Sequence, residues 1–299
     1  MEMNTYEDRQ FVGIHTHAQS LQSDNKRVRI MWDKYEQLKE TLTDMGSVLV
    51  AYSGGVDSTF LLRVAHDTLG DRARGATIVS PLIPPDEYAD AITLAQEMGT
   101  DIEVLKHADS SNPQILANTP DRCYFCKASI CEQLKVFAKE HGYSVVVDGS
   151  NLDDLDDYRP GQRAAQECGM RSPLQEAGLT KSDIRALSRE LGLTTWDKPS
   201  AACLASRIPY GTPITEEALV RIGRAERVLR ELGFGQLRVR HHGNIARIEI
   251  PAGDFERILT HRGNIVEALR ALGYAYITLD LNGFRSGSMN EVINKDGRR

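Results

Sequence analysis

The chain has 299 residues, 41% of them hydrophobic and 26% charged, with a formal net charge of −6. These proportions are ordinary for a soluble globular protein, and the length suggests about two domains. No apolar run approaches the ~20 residues needed to span a bilayer, which excludes a helical membrane protein.

Residues 1–28 are polar and lack the apolar core of a secretory signal, so they are expected to form a flexible extension. A cytoplasmic protein with reduced cysteines is the corresponding expectation. A helix is predicted over 31–45. The stretch 47–52, apolar from Val48 to Tyr52, predicts a buried parallel strand. It runs into Ser53-Gly54-Gly55-Val56-Asp57-Ser58-Thr59, and a helical pattern follows over 58–69. Two glycines let the backbone turn tightly and approach an anion closely. The hydroxyls of Ser53, Ser58 and Thr59, with the free N–H groups of the new helix, can cradle a phosphate. The run resembles the PP-loop of ATP pyrophosphatases, which split ATP between its α and β phosphates. It is not a Walker A loop, because no GxxxxGK[ST] occurs in the chain.

Predicted strands at 75–80, 102–105 and 144–148 then alternate with helices at 86–98 and 128–141. This is the pattern of a parallel sheet covered by helices on both faces. The glycine-rich loop would lie at the carboxyl end of the first strand, where open α/β sheets bind ligands. Within this region, Cys123 and Cys126 form a CxxC pair in NTPDRCYFCK. Such a pair suits a metal or cluster, or a thioredoxin-like redox couple. Residues 149–163 are polar and Gly/Pro-punctuated, which predicts a loop at the same sheet edge. Its aspartates Asp153, Asp154, Asp156 and Asp157 are either solvated or contact Mg²⁺ or substrate, and Arg159 offers a fork to carboxylate or phosphate. Thr180-Lys181-Ser182-Asp183 reads as a variant capping box opening a helix.

Cys203 lies in KPSAACLASRIPYGT, a small-residue segment at the predicted domain junction. Alone it reads as a small buried hydrophobe; with the CxxC pair it makes a third thiolate. Three thiolates can hold a [4Fe–4S] cluster with one iron left open, or can hold zinc. Cys131 and Cys168 fall in helical patterns and read as core or semi-buried residues. After Pro209-Tyr210-Gly211 a helix near 215–232, strands at 236–241 and 245–250, a helix near 254–271 and a strand near 274–280 predict a small second domain with its own sheet. Arg238 and Arg240 would point to one face of a strand. With Ser206, Arg207 and the segment Gly283-Phe284-Arg285-Ser286-Gly287 they can form a phosphate pocket. The alternative pairs these arginines with acids such as Glu226 and Glu249. Lys and Arg outnumber Asp and Glu only after residue 202. That bias suits a tRNA, a phosphorylated small molecule or a subunit contact.

Taken together and in order, SGGVDST, NTPDRCYFCK, DGSNLDDLDDYRPG, KPSAACLASRIPYGT, LRVRHHGNIARIEIP and TLDLNGFRSGSMN resemble the LarE family. Its members are ATP-dependent sulfur transferases of nickel-pincer nucleotide cofactor biosynthesis for lactate racemase. The likeness covers about residues 30–290. It implies an α/β fold: a PP-loop domain of the adenine nucleotide alpha hydrolase-like type over 29–205, and a smaller α+β domain over 206–299. ATP would adenylate the carboxylates of pyridinium-3,5-biscarboxylate mononucleotide, and sulfur would then displace AMP at each. The resemblance assigns Ser53, Gly54, Gly55, Val56, Asp57, Ser58, Thr59 and Ser80 to the nucleotide, with Asp57 also holding Mg²⁺. It assigns Asp154, Arg159, Ser206, Arg207, Glu226, Arg238, Arg240 and Arg285 to the substrate. Catalysis would fall to Asp57, Cys123, Cys126 and Cys203. One branch of the family sacrifices a single cysteine at the SRxPYG segment and ends with dehydroalanine. The other has three cysteines and a [4Fe–4S] cluster, and Cys123, Cys126 and Cys203 match that branch. A sulfide source and a homo-oligomer are further implied, with no nucleic-acid or membrane partner.

Two other readings compete. A tRNA thiolase can also join a PP-loop to three cysteines, but its loop commonly reads SGGKDS, and an acidic first domain suits a polyanion poorly. An amide-forming ligase of the NAD or GMP synthetase kind would have no need of the three cysteines.

Overall fold

The structure is a computed structural model describing residues 7–107, 111–156, 160–199, 202–285 and 288. Helix α1 (Glu7–Met45) leads into strand β1 (Val48–Ala51) and helix α2 (Val56–Leu69). The helix thus begins within the segment read as a flexible extension. Strand β2 (Ala73–Val79), helix α3 (Pro85–Glu97) and strand β3 (Ile102–Lys106) follow, then the short helix α4 (Pro113–Leu116), the long helix α5 (Arg122–Glu140) and strand β4 (Val145–Val147). The four strands form a parallel sheet in the order β3-β2-β1-β4.

Strand side chains alternate between faces, and the sequence of β1 is apolar throughout, so both faces become core. Val48 and Val50 join a cluster with Leu38 and Leu42 of α1 and Phe60, Leu61 and Val64 of α2. Leu49 faces the other way, into a cluster with Cys131 and Leu134 of α5. A parallel α/β sheet with helices on both sides is therefore what the apolar runs produce.

Several boundaries differ from expectation. Helix α5 starts at Arg122 rather than near 128, because tertiary hydrogen bonds to Arg122 anchor a first turn that has no apolar period of its own. The predicted loop 149–163 contains a 3-10 turn, Leu152–Asp156, and then helix α6 (Pro160–Glu167), which opens on a proline suited to a first helical position. Helices α7 (Pro173–Glu176) and α8 (Lys181–Glu190) follow, the latter with both arms of the Thr180–Asp183 capping box formed. The 3-10 turn Leu204–Arg207 straddles the expected domain boundary at 205/206. Helix α9 (Glu216–Glu231) and strands β5 (Arg238–His242), β6 (Ile245–Glu249) and β7 (Tyr276–Leu279) build the second unit. β5 and β6 are antiparallel and β6 and β7 parallel. The helix expected over 254–271 is two, α10 (Phe255–Thr260) and α11 (Arg262–Ala271). The His261 N–H turns back to the Ile258 carbonyl and ends the first.

Candidate active site

The loop between β1 and α2 closes on itself. Ser53 and Ser58 hydroxyls lie 3.0 Å apart, and the Ser53 N–H donates to Ser58 Oγ at 3.2 Å. Gly54 has φ +68°, and a Cβ there would stand 2.6 Å from Ala91 Cβ, so only glycine lets α3 pack over the loop. Gly149, just past β4, is required for space: a Cβ would come within 2.9 Å of the Ser58 nitrogen. These approaches aim the start of α2 into a cavity of about 470 Å³ whose wall includes Ser53, Gly54, Gly55, Val56, Asp57 and Ser58. Thr59 and Ser80, assigned to the nucleotide by resemblance, are buried outside that wall, where Ser80 Oγ accepts from the Leu82 N–H.

Asp57 sits in the first turn of α2. Lys181 Nζ donates to its Oδ2 at 2.5 Å, while its Oδ1 is buried and takes no hydrogen bond. Burial pushes the Asp57 carboxyl above the usual range, and Lys181 offsets this only in part; Asp154, also on the cavity wall, adds to the rise. An unsatisfied buried carboxylate oxygen beside a second acid fits a divalent cation that binds oxygen. Arg159, with Asp157 and Tyr158, lies outside the described residues.

Several wall residues went unassigned from the sequence. Lys127 pairs with Asp148 at 3.0 Å, at the carboxyl end of β4. Burial works against the Asp148 charge, but Lys127, Ser172 and Ser150 hold its carboxyl below the usual range. Lys198 Nζ donates to the Gly54 carbonyl at 3.1 Å. The position of Lys127 directly after the CxxC pair was the available signal for it. Lys181 and Lys198 are brought in by chain segments far from the loop, and nothing local marks them.

Cys203 lines the same cavity. Cys123 and Cys126 are one helical turn apart at the start of α5, on neighbouring positions of one face. Cys126 and Cys203 pack against one apolar cluster, and the Arg122 guanidinium reaches Cys123 Sγ at 3.7 Å. None of the three is disulfide-bonded, and all are partly exposed. Among the described residues no three His, Cys, Asp or Glu side chains converge as one metal ion requires, which leaves zinc unsupported. A [4Fe–4S] cluster takes its thiolates at separate irons, and Cys123, Cys126 and Cys203, none of them disulfide-bonded, are the residues that would hold one. Cys131 is buried and Cys168 packs partly buried against the same cluster, as expected of core or semi-buried residues, but the two are joined in a disulfide and not reduced, their Cα atoms lying 6.5 Å apart where α5 packs beside α6.

The second unit brings Ser206, Arg207, Arg238, Arg240 and the segment carrying Arg285 together, but largely as a bonded framework. Arg207 is 1% exposed; it donates to both Glu226 oxygens, at 2.8 and 3.0 Å, and to the Ala202 and Cys203 carbonyls. Arg240 donates to Glu249, the Ser206 carbonyl and Ser288 Oγ. Arg207 and Glu226 thus secure the Cys203 turn onto α9 instead of standing open to a phosphate. Ser206 Oγ donates to the Cys203 carbonyl. Arg238 stacks 5.1 Å over Phe284, and burial with nearby Arg207 lowers its pKa to about 10, still charged at neutral pH. The Phe284 N–H donates to the Ile250 carbonyl, which seats the Arg285 segment beyond β6. Ser286 and Gly287 lie outside the described residues.

A parallel sheet with an SGGxDS turn at the carboxyl end of its first strand defines a PP-loop enzyme of the ATP pyrophosphatase type. No family model matches the chain. An uncharacterized protein of Synechocystis is 46% identical over 88% of this chain and 98% of its own length. Pyridinium-3,5-bisthiocarboxylic acid mononucleotide synthase of Lactiplantibacillus plantarum is 41% identical over 88% of this chain and 95% of its own. A tRNA-specific 2-thiouridylase of Azorhizobium caulinodans is 29% identical over 54% of this chain and 52% of its own. The chain belongs to the LarE family of ATP-dependent sulfur transferases.

Proposed function

We propose that the protein converts pyridinium-3,5-biscarboxylate mononucleotide to its thiocarboxylates, with sulfur delivered at the three-cysteine junction. The observation that carries this reading is Cys203 on the wall of the cavity that the PP-loop opens into. A carboxylate is a poor acylating group, because its leaving group would be oxide. Its oxygen attacks the α-phosphorus of ATP, pyrophosphate leaves, and an acyl-adenylate results. The nitrogen donors at the start of α2 offset charge developing on the phosphates. Mg²⁺ held by Asp57 would add to that neutralisation. Hydrosulfide then attacks the carbonyl carbon; AMP departs with the bonding pair, and one proton is released. Bound at Cys123, Cys126 and Cys203, a [4Fe–4S] cluster would offer an open iron to hydrosulfide. Placing sulfur and adenylate at one wall makes the second step effectively intramolecular. Arg238 and Arg285, at the edge of the second sheet, supply the positive charge for the substrate phosphate. A cytoplasmic homo-oligomer drawing on a small sulfide donor completes the reading. The match to the synthase supports the substrate and the sulfur chemistry. No described helix is long and apolar enough to cross a membrane.

The test is anaerobic turnover with ATP, Mg²⁺, sulfide and the biscarboxylate, following AMP, pyrophosphate and product mass. Repeated turnover with an intact protein mass is expected. Loss of ~34 Da from Cys203, in step with product, would instead show the sacrificial route. Asp57→Ala is expected to lower pyrophosphate release by about 100-fold or more while the protein remains folded. Unchanged release would remove Asp57 from the ATP step. Tight, salt-sensitive tRNA binding would favour the thiolase reading.

A further inference from the structure

Three arginines are buried among the described residues: Arg122, Arg207 and Arg240. A buried guanidinium needs compensation for its lost hydration, and a carboxylate is the usual source. Arg207 has Glu226 and Arg240 has Glu249. Arg122, 3% exposed, pairs with no carboxylate among the described residues. Its Nη1 donates to Asn118 Oδ1 at 2.5 Å and to the Ala205 carbonyl at 3.0 Å, and its Nη2 meets Cys123 Sγ at 3.7 Å. Ala205 belongs to the turn that Cys203 opens. One side chain therefore touches both the CxxC turn and the Cys203 turn.

We propose that Arg122 is a positioning residue for sulfur transfer: it holds Cys123 against the Cys203 turn and is the counter-charge for anionic sulfur carried there. The proposal rests on the three-thiol reading above. Its geometry has two parts. The fork spans two chain segments 83 residues apart, which a single-point ammonium cannot match. The positive charge sits where thiolates and hydrosulfide would otherwise repel one another in a poorly hydrated junction.

The test separates position from loading. In the metal-free full chain with Cys126→Ser, Cys123 and Cys203 are the two remaining free thiols. Dibromobimane, a thiol-bridging reagent, then reports their proximity, with the bridge mapped by mass spectrometry. Arg122→Met is expected to lower the yield of the Cys123–Cys203 bridge by about tenfold, and Arg122→Lys to fall between Met and the parent. In the chain with all cysteines, iron and sulfide content and visible charge-transfer absorption are measured after anaerobic reconstitution. Loading is expected to be lost in Arg122→Met and partly kept in Arg122→Lys, with ATP affinity unchanged in both. Parental bridging and loading in Arg122→Met would overturn the proposal. Should that variant not fold, Arg122→Lys decides: bridging reduced at an unchanged melting temperature supports the proposal, and parental bridging overturns it. A parent chain that bridges the pair but takes up no iron refutes the cluster reading alone, and the positioning role is then judged from the bridging yields.

Discussion

Glu226 concentrates the electrostatics of the second unit in one side chain. It is 0% exposed and accepts from Arg207, Arg230 and the Val239 N–H. Burial alone would raise its pKa; Arg207, the Val239 N–H and Arg230 reverse this and hold it below 4.5. A depressed carboxyl contributes stability that is present above pH 4.5 and is lost as the pH falls through its lower folded value. Glu226→Gln leaves Arg207 buried without a counter-charge, which is expected to cost about 3–5 kcal/mol at neutral pH. Urea denaturation across the acid range should show a flatter acid limb for the variant. Parallel limbs for the two proteins would contradict the role given to this pair. The same pair holds the Cys203 turn, so sulfur transfer is expected to fall with stability while ATP affinity is retained.

At the scale of elements, the ATP loop works because β4 and α2 nearly touch. Gly149 closes that gap with no side chain, and its would-be Cβ meets backbone, which cannot swing aside. Gly149→Ala should therefore push back the start of α2 and misalign its N–H groups. The expected result is a loss of about tenfold or more in kcat/KM for ATP, against a change in melting temperature of only a few degrees. An unchanged ATP dependence would show that the loop tolerates the displacement. The CxxC pair depends on an element in the same way. Cys123 and Cys126 share a face only because α5 begins at Arg122, and that start is secured from outside the helix by Asn118 and Ala205.

Across the whole molecule, single side chains tie the first unit to the segment that leads into the second. Asn118 has φ +52°, is fully buried, and donates through Nδ2 to the Ile208, Pro209 and Thr212 carbonyls. Its own carbonyl accepts from the Gly211 N–H. Asparagine is one of the few side chains that tolerates this left-handed backbone. Asn118→Gly keeps the backbone at ease but removes the side-chain bonds, and is expected to destabilise the protein by about 1–3 kcal/mol. Asn118→Ala should cost about 1 kcal/mol more, because alanine also strains the backbone. Thermal unfolding of both variants checks the order, and equal losses would locate the role in the side-chain bonds alone. Beyond stability, either variant loosens the segment from Cys203 to Gly211 and should lower sulfur transfer more than pyrophosphate release.

The amino-acid sequence by itself determined the layered α/β fold, the strand-to-helix phosphate loop and the second sheet. These follow from local patterns: apolar runs of strand length, a turn rich in glycine and hydroxyls, and helical periodicity. It also marked Cys123, Cys126 and Cys203 as a set, since thiol spacing is visible in one dimension. Only the tertiary structure decided which polar groups face the cavity. Lys181 reaches Asp57 across 124 residues and Lys198 reaches Gly54 across 144, and no local pattern encodes such a meeting. The arginines of the second unit were legible as a group, but whether each was open or bonded depended on acids such as Glu226 and Glu249 arriving from other elements. Burial sets that outcome, because a charge removed from water must find its partner wherever the fold places one.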